Sequence, residues 1–206
     1  MLVETTTWWL RTNATPGSVG LFISRTNIYL YSGRFFFLIF SSSISFLVDL
    51  GASTASIVVT FSICFLFAAV VHAVMTIYPD ATMAMSQKAS TVLKMPVPVR
   101  QEIKKIPDDS KVMIITAASS SIFSLGLAVP YILASTYPDY RLTLASLGQA
   151  VNAVGTLLLL FFVDQILFKS IDDGTIRYKV VRYTVGRSLG FGTAGFVLFC
   201  FWLSIA

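Results

Sequence analysis

From Leu142 to Val163 the chain runs for 22 residues without a charge and then meets Asp164. At ~1.5 Å per residue a helix of this length covers about 33 Å, enough to cross a ~30 Å hydrocarbon core. Its first half is studded with small and polar residues (Ser146, Gly148, Gln149, Asn152, Gly155, Thr156), and its second half is Leu and Phe. The stretch reads as a membrane helix with one polar, close-packing half and a carboxylate near its far end.

Composition agrees with that reading. Only 12% of the 206 residues are charged and the mean hydropathy is +0.77, against roughly 25% charged residues in a soluble domain. The expected fold is all-α: a polytopic membrane helix bundle of about five to six transmembrane helices, forming a single membrane domain over residues 1–206. Cys64 and Cys200 lie in apolar runs, far from any His/Cys cluster, and read as small buried hydrophobes. No metal and no cofactor is expected. The opening MLVETTTWWL lacks a basic n-region and a long h-region, so it does not read as a cleavable signal peptide. The formal net charge of +5 gives no reason to expect nucleic acid; its distribution is what matters.

In chain order, residues 1–16 are short of a full span, and Trp8 and Trp9 beside Arg11 read as an interfacial anchor. Residues 18–48 are apolar but interrupted by Arg25, Asn27 and Arg34, and are compatible with one tilted or broken helix or with two short ones. Ser53 to Tyr78 predicts a span ending at Pro79-Asp80. The polar segment 80–111 has room for an interfacial helix up to Lys94, followed by Pro96, Pro98 and Pro107. Val112 to Tyr137 predicts another span, kinked at Pro130. Pro138 to Arg141 is a tight turn into the long uncharged stretch. Ile171 to Arg187 reads as a basic loop, and Ser188 to Ala206 as a last, glycine-rich span.

Lys and Arg set the expected orientation. Segment 80–111 holds six of them, segment 169–187 five, and the turn 138–141 only Arg141. The positive-inside rule then makes 80–111 and 169–187 cytoplasmic and the C-terminus periplasmic.

No catalytic motif is present, so the chain reads as transporter-like and not as an enzyme. Gly190-Phe191-Gly192 lacks the strand–turn–helix setting of a nucleotide fingerprint, and small-residue packing accounts for Gly190, Gly192 and Gly195. The lone His72 reads as a hydrogen-bonded packing residue. Packing also accounts for the serine triplets Ser41–Ser43 and Ser119–Ser121. The ionisable residues at membrane depth carry more information, because a charge at the bilayer centre costs ~2.5–3.5 kcal/mol on insertion scales. These are Arg25 and Arg34 within an apolar run, with Asp49, Asp164 and Arg187 placed nearer the interfaces. Guanidinium groups bind phosphate bidentately and keep their charge when desolvated, which suits an anionic or phosphate-bearing lipid substrate.

Tyr140-Arg141-Leu-Thr-Leu-Ala-Ser-Leu-Gly-Gln-Ala-Val-Asn152-Ala-Val-Gly-Thr156, running into Phe162-Val163-Asp164, resembles the C-terminal half of the Amj family of lipid II flippases. Leu2-Val3-Glu4-Thr5 resembles that family's Leu-Ile-Glu-Thr; Ile171-Asp172-Asp173 and Gly186-Arg187-Ser-Leu-Gly190 stand near its Thr-Asp-Asp and Ser-Arg-x-x-Gly. The chain departs from the pattern at Gln165, where the family has Pro after Val-Asp, and at Gly33 and Phe35 around Arg34. The resemblance implies a flippase for an undecaprenyl-diphosphate-linked, lipid II-like precursor of peptidoglycan in the bacterial inner membrane. Its partners would be that polyprenyl-diphosphate lipid and the surrounding membrane lipids. The implied substrate-binding residues are Arg25, Arg34, Arg187, Gln149 and Asn152, with Asp49 and Asp164 pairing with arginines or coupling their movement. The alternative is a non-transporting accessory subunit of a larger membrane complex. The charge distribution makes one direct prediction: a reporter fused after Ala206 reads out on the periplasmic face, and a cytoplasmic signal overturns the orientation.

Overall fold

The computed structural model describes residues 2–14, 17–95 and 110–206, apart from the side chains of Arg34 and Ala145. Pro96, Pro98, Pro107 and the basic residues at 100, 104 and 105 lie outside the described residues. Among the described residues all regular structure is helical: α1 (Leu2–Arg11), α2 (Val19–Asp49), α3 (Thr54–Ile77), α4 (Pro79–Val92), α5 (Ser110–Thr136), a 3-10 turn (Pro138–Tyr140), α6 (Arg141–Leu158), a π-helical segment (Leu159–Asp164), α7 (Gln165–Asp172) and α8 (Ile176–Ile205). Five stretches are long and apolar enough to cross a membrane: α2, α3, α5, the run Pro138–Asp172 and α8. The chain is an all-α, multi-pass membrane protein.

α8 is the central helix, packed against both α3 and α5. Ser62 Oγ donates to the Gly195 carbonyl and Ser188 Oγ to that of Ala69, each at 2.9 Å, so α3 and α8 run antiparallel. On the other side α5 and α8 run parallel at close range. A methyl placed on Gly190 would lie 2.5 Å from the Ala117 carbonyl oxygen, and one on Gly186 2.5 Å from that of Met113. α5 runs through Pro130 and packs antiparallel against α6, with Gly148 against Pro130 and Gly126 against Val151. These small-residue seams are how membrane helices gain contact where lipid supplies no hydrophobic drive between them.

Two apolar cores lie end to end along the bundle. One gathers Ile57, Phe61, Phe65, Leu127, Ile132, Phe191 and Leu198; the other gathers Trp8, Trp9, Phe22, Val163, Leu167, Val180 and Tyr183. Between them lies a polar layer of Thr116, Ser119, Ser120, His72, Thr184 and Arg187, all fully buried or nearly so.

One open alternative is resolved and three expectations are corrected. Residues 19–49 form one unbroken helix, because their polar groups are satisfied in place: Arg25 donates to carbonyls at the end of α4, and Asn27 accepts from Arg11. Trp8, Trp9 and Arg11 are not an interfacial anchor. They are 2%, 1% and 4% exposed, since Trp9 Nε1 donates to Thr184 and Arg11 lies over the rings of Trp8 and Phe168. The basic stretch 171–187 is not a loop. α7 ends at Asp172, a turn with Gly174 at φ +68° follows, and α8 begins at Ile176. Arg187 therefore lies three turns inside the last helix instead of opening it. Cys64 is half-buried and Cys200 exposed, so the two cysteines are not core residues.

Close packing at Gly190 gives a graded prediction. Gly190→Ala lowers the thermal midpoint in detergent by the equivalent of about 1–3 kcal/mol, the cost of overpacking. Gly192→Ala, whose methyl would meet only the Ala69 Cβ at 3.7 Å, leaves the midpoint unchanged.

Candidate functional site

Near the C-terminal end of α2 and beside the α5–α6 hairpin lies a cavity of about 590 Å³. Helical periodicity supplies its polar wall. Ser41, Ser45 and Asp49 recur every four residues on α2, with Ser42 beside them, while Gly148 and Asn152 share a face of α6 next to Gln149. α5 closes the floor with Gly126, Pro130 and Tyr131. Asn152 Oδ1 is buried and has no hydrogen-bond partner among the described residues. Ser41 and Tyr131 join hydroxyls across the cavity. At its mouth Arg141, the first residue of α6, pairs with Asp49, the last residue of α2, at 3.0 Å.

The second arrangement is built in the polar layer. Arg187 is 1% exposed and forms an ion pair with Glu4 of α1. Its Nε donates to Tyr183 Oη at 2.9 Å, one turn earlier on α8, and its guanidinium lies over the Tyr183 and Phe191 rings. The spacing 183, 187, 191 puts all three on one helix face. His72 is held by two contacts: Nδ1 donates to the Ala68 carbonyl at 2.6 Å, and Nε2 accepts from Thr5 Oγ1 at 2.8 Å. A carbonyl can only accept, so Nδ1 carries the proton. α1, too short to span, is thus fastened to α3 by Thr5 and to α8 by Glu4 and Trp9.

α1 also carries Arg11, which donates to Thr26 Oγ1 at 3.0 Å and to Asn27 Oδ1 at 2.9 Å, both neutral groups on α2. Burial lowers the Arg11 pKa from its ordinary value, against the opposing influence of Asp164 and Tyr183. The guanidinium keeps its charge regardless. Asp164 closes the π-helical segment. Its Oδ1 is buried without a hydrogen-bond partner among the described residues, and its electrostatic neighbours are Glu4, Arg11 and Arg187.

The residues expected to form one site divide between these places. Asp49, Gln149 and Asn152 line the cavity, whereas Arg187 and Asp164 belong to the buried ionic cluster. Arg25 joins neither, because its guanidinium is occupied by the Leu93 and Lys94 carbonyls. Arg34 lies on α2 with its side chain outside the described residues. Sequence reasoning missed Glu4, Tyr183 and Arg141 as site residues. The positions 176, 180, 183, 187, 191, 194 and 198 carried a readable signal, since they recur at helical spacing through the supposed loop and are all buried. Glu4 had none, as it meets Arg187 from the far end of the chain. A further cavity of about 770 Å³, almost wholly apolar, opens between α1, α3 and α4, with Trp9, Val74 and Met85 in its wall.

Comparison with protein-family models, curated proteins and solved structures finds no match to this chain.

The Glu4–Arg187 pair makes a sharp contrast with Asp49–Arg141. Glu4→Gln leaves a buried guanidinium unpaired and costs about 3 kcal/mol, while the Glu4→Leu/Arg187→Leu double variant recovers most of that loss. Asp49→Asn, with a carboxylate that is 65% exposed, costs at most about 1 kcal/mol. Chemical unfolding of the four proteins in mixed micelles checks the order.

Proposed function

We propose that this chain is a lipid flippase of the Amj type, moving an undecaprenyl-diphosphate-linked cell-wall precursor across the bacterial inner membrane. The observation that carries the reading is the polar-walled cavity in an otherwise apolar bundle. Ser41, Ser42, Ser45, Gln149 and Asn152 offer hydroxyl and amide groups at membrane depth, where an unsatisfied polar group is expensive. The family-like stretch from Tyr140 to Thr156 supplies α6, the cavity wall that holds Gln149 and Asn152.

A diphosphate head group needs donors and a cation, and the cavity has both in reach of its mouth. Arg141 is held there by Asp49 and keeps a buried Nε without a partner among the described residues. Exchange of Asp49 for a phosphate oxygen would hand this guanidinium to the substrate in a bidentate geometry. The prenyl tail stays in lipid, leaving between α2 and α6, which both pack on α5 and not closely on each other. In this reading the cavity faces the periplasm, the segments 80–111 and 169–187 face the cytoplasm, and the C-terminus is periplasmic. Alternating access requires the same cavity to open toward the cytoplasm as well.

Cells depleted of their lipid II flippase provide the test. The wild-type chain restores growth; Arg141→Ala and Asn152→Leu, inserted at wild-type levels, restore it at least tenfold less well. Growth restored equally by all three contradicts the site. If the wild-type chain fails to restore growth and co-purifies with a stable membrane complex, the accessory-subunit reading replaces transport.

A further inference from the structure

Arg11 is a buried cation and Asp164 a half-buried acid in the same cluster, yet no ion pair joins them. Arg11 spends its donors on the neutral Thr26 and Asn27, while Asp164 Oδ1 has no hydrogen-bond partner among the described residues. Among the described residues, the other charged groups that bear on Asp164 have partners of their own. On α1 stands Glu4, paired with Arg187 of α8, and Tyr183 of α8 accepts from that same arginine. α5, α6 and α7 also pack on this segment; their ionisable residues are Lys111, in the first turn of α5, Tyr131, at the cavity, Arg141, at the start of α6, and Lys169 and Asp172 on α7.

An ionised carboxylate with a buried, unpartnered oxygen, in the same cluster as a guanidinium held only by neutral groups, would draw that guanidinium to itself. Charge-assisted bonds to a carboxylate are about twice as strong as bonds to neutral hydroxyls and amides. A protonated acid exerts no such pull. The π-helical segment that ends at Asp164 is a second mark on this position, because single π-turns inside α-helices collect at functional sites.

We propose that Asp164 is a proton-binding site, loaded in this conformation, whose deprotonation transfers Arg11 from α2 to Asp164. The step breaks the carboxyl O–H bond, leaves the electron pair on the carboxylate and delivers the proton to water. Arg11 then exchanges Thr26 and Asn27 for the new anion. The bonds it gives up are polar ties between α1 and α2. Other ties on α2 include Tyr29 to Thr6, Arg25 at the end of α4, Ser41 to Tyr131 and Asp49 to Arg141. It is also one wall of the cavity, so proton release at one end of α2 loosens the wall at the other. Proton binding stands on the cluster geometry; its use to drive lipid movement rests on the flippase reading.

Infrared spectroscopy of the purified chain in an ester-free detergent tests the site without any transport. A protonated-carboxyl stretch is expected at mildly acidic pH, bleaching as pH rises, and it is lost in Asp164→Asn. Arg11→Gln removes the cation that stabilises the carboxylate and shifts the bleaching to higher pH; Arg11→Lys keeps it near the wild-type position. Thr26→Ala removes a competing acceptor, frees Arg11 for Asp164 and shifts the bleaching to lower pH, so the proposal remains testable if the Arg11 variants do not fold. Absence of the band in the wild type, its survival in Asp164→Asn, or a transition that Thr26→Ala leaves in place overturns the proposal. None of these outcomes depends on whether the chain moves lipid.

Discussion

A guanidinium at the middle of a membrane bundle has to be neutralised from inside the protein, because neither lipid nor bulk water can reach it. In this chain the neutralising carboxylate is Glu4, on a helix of ten residues that could not cross the membrane by itself. Much of the half of the bundle around Arg187 follows from that pairing. α1 is drawn in beside α8, its tryptophans become core residues, and α2 is brought alongside it through Arg11 and through the contact between Val3 and Gly33. The cost of burying Arg187 is shared with Tyr183 and with the aromatic faces above and below it.

The half around the polar cavity is organised differently. There the dominant device is close approach of backbones at small residues, with Gly126 and Gly148 letting α6 sit against α5. Polar groups on this side are not locked into the core but face an open cavity, and the ion pair at its mouth is largely exposed. A charge-locked end and a looser, hydroxyl-lined end suit the proposed function, in which the protein keeps its fold while one wall moves. α2 connects the two ends, and its lipid-facing surface is covered with exposed apolar side chains such as Phe35, Phe36 and Phe46.

The spans were legible wherever charge was absent. α3, α5 and α6 were readable from hydropathy because nothing in them competes with the apolar pattern. α2 was ambiguous because Arg25 and Asn27 look costly until their partners are known, and those partners lie on α4 and α1. The start of α8 was hidden because Arg177, Lys179, Arg182 and Arg187 look like a loop, whereas the buried positions between them keep helical spacing. Within the candidate site, Asp49, Gln149 and Asn152 fall together because they share faces of two helices that frame one cavity. Arg187 and Asp164 fall elsewhere, and no spacing rule could reveal it, since their surroundings depend on where α1 docks. Arg25 shows the same limit: a membrane arginine can be consumed by backbone carbonyls at a helix end.

In the function we propose, the cavity between α2 and α6 receives a polyprenyl-diphosphate head group. Thiol accessibility measures this most directly, in a background with Cys64 and Cys200 replaced by alanine. Asn152→Cys should react with a membrane-impermeant thiol reagent added from the periplasmic side, and a purified polyprenyl-diphosphate precursor should protect it while phosphatidylglycerol does not. A cysteine at this position that never reacts, or that reacts equally fast with and without the precursor, would contradict the account.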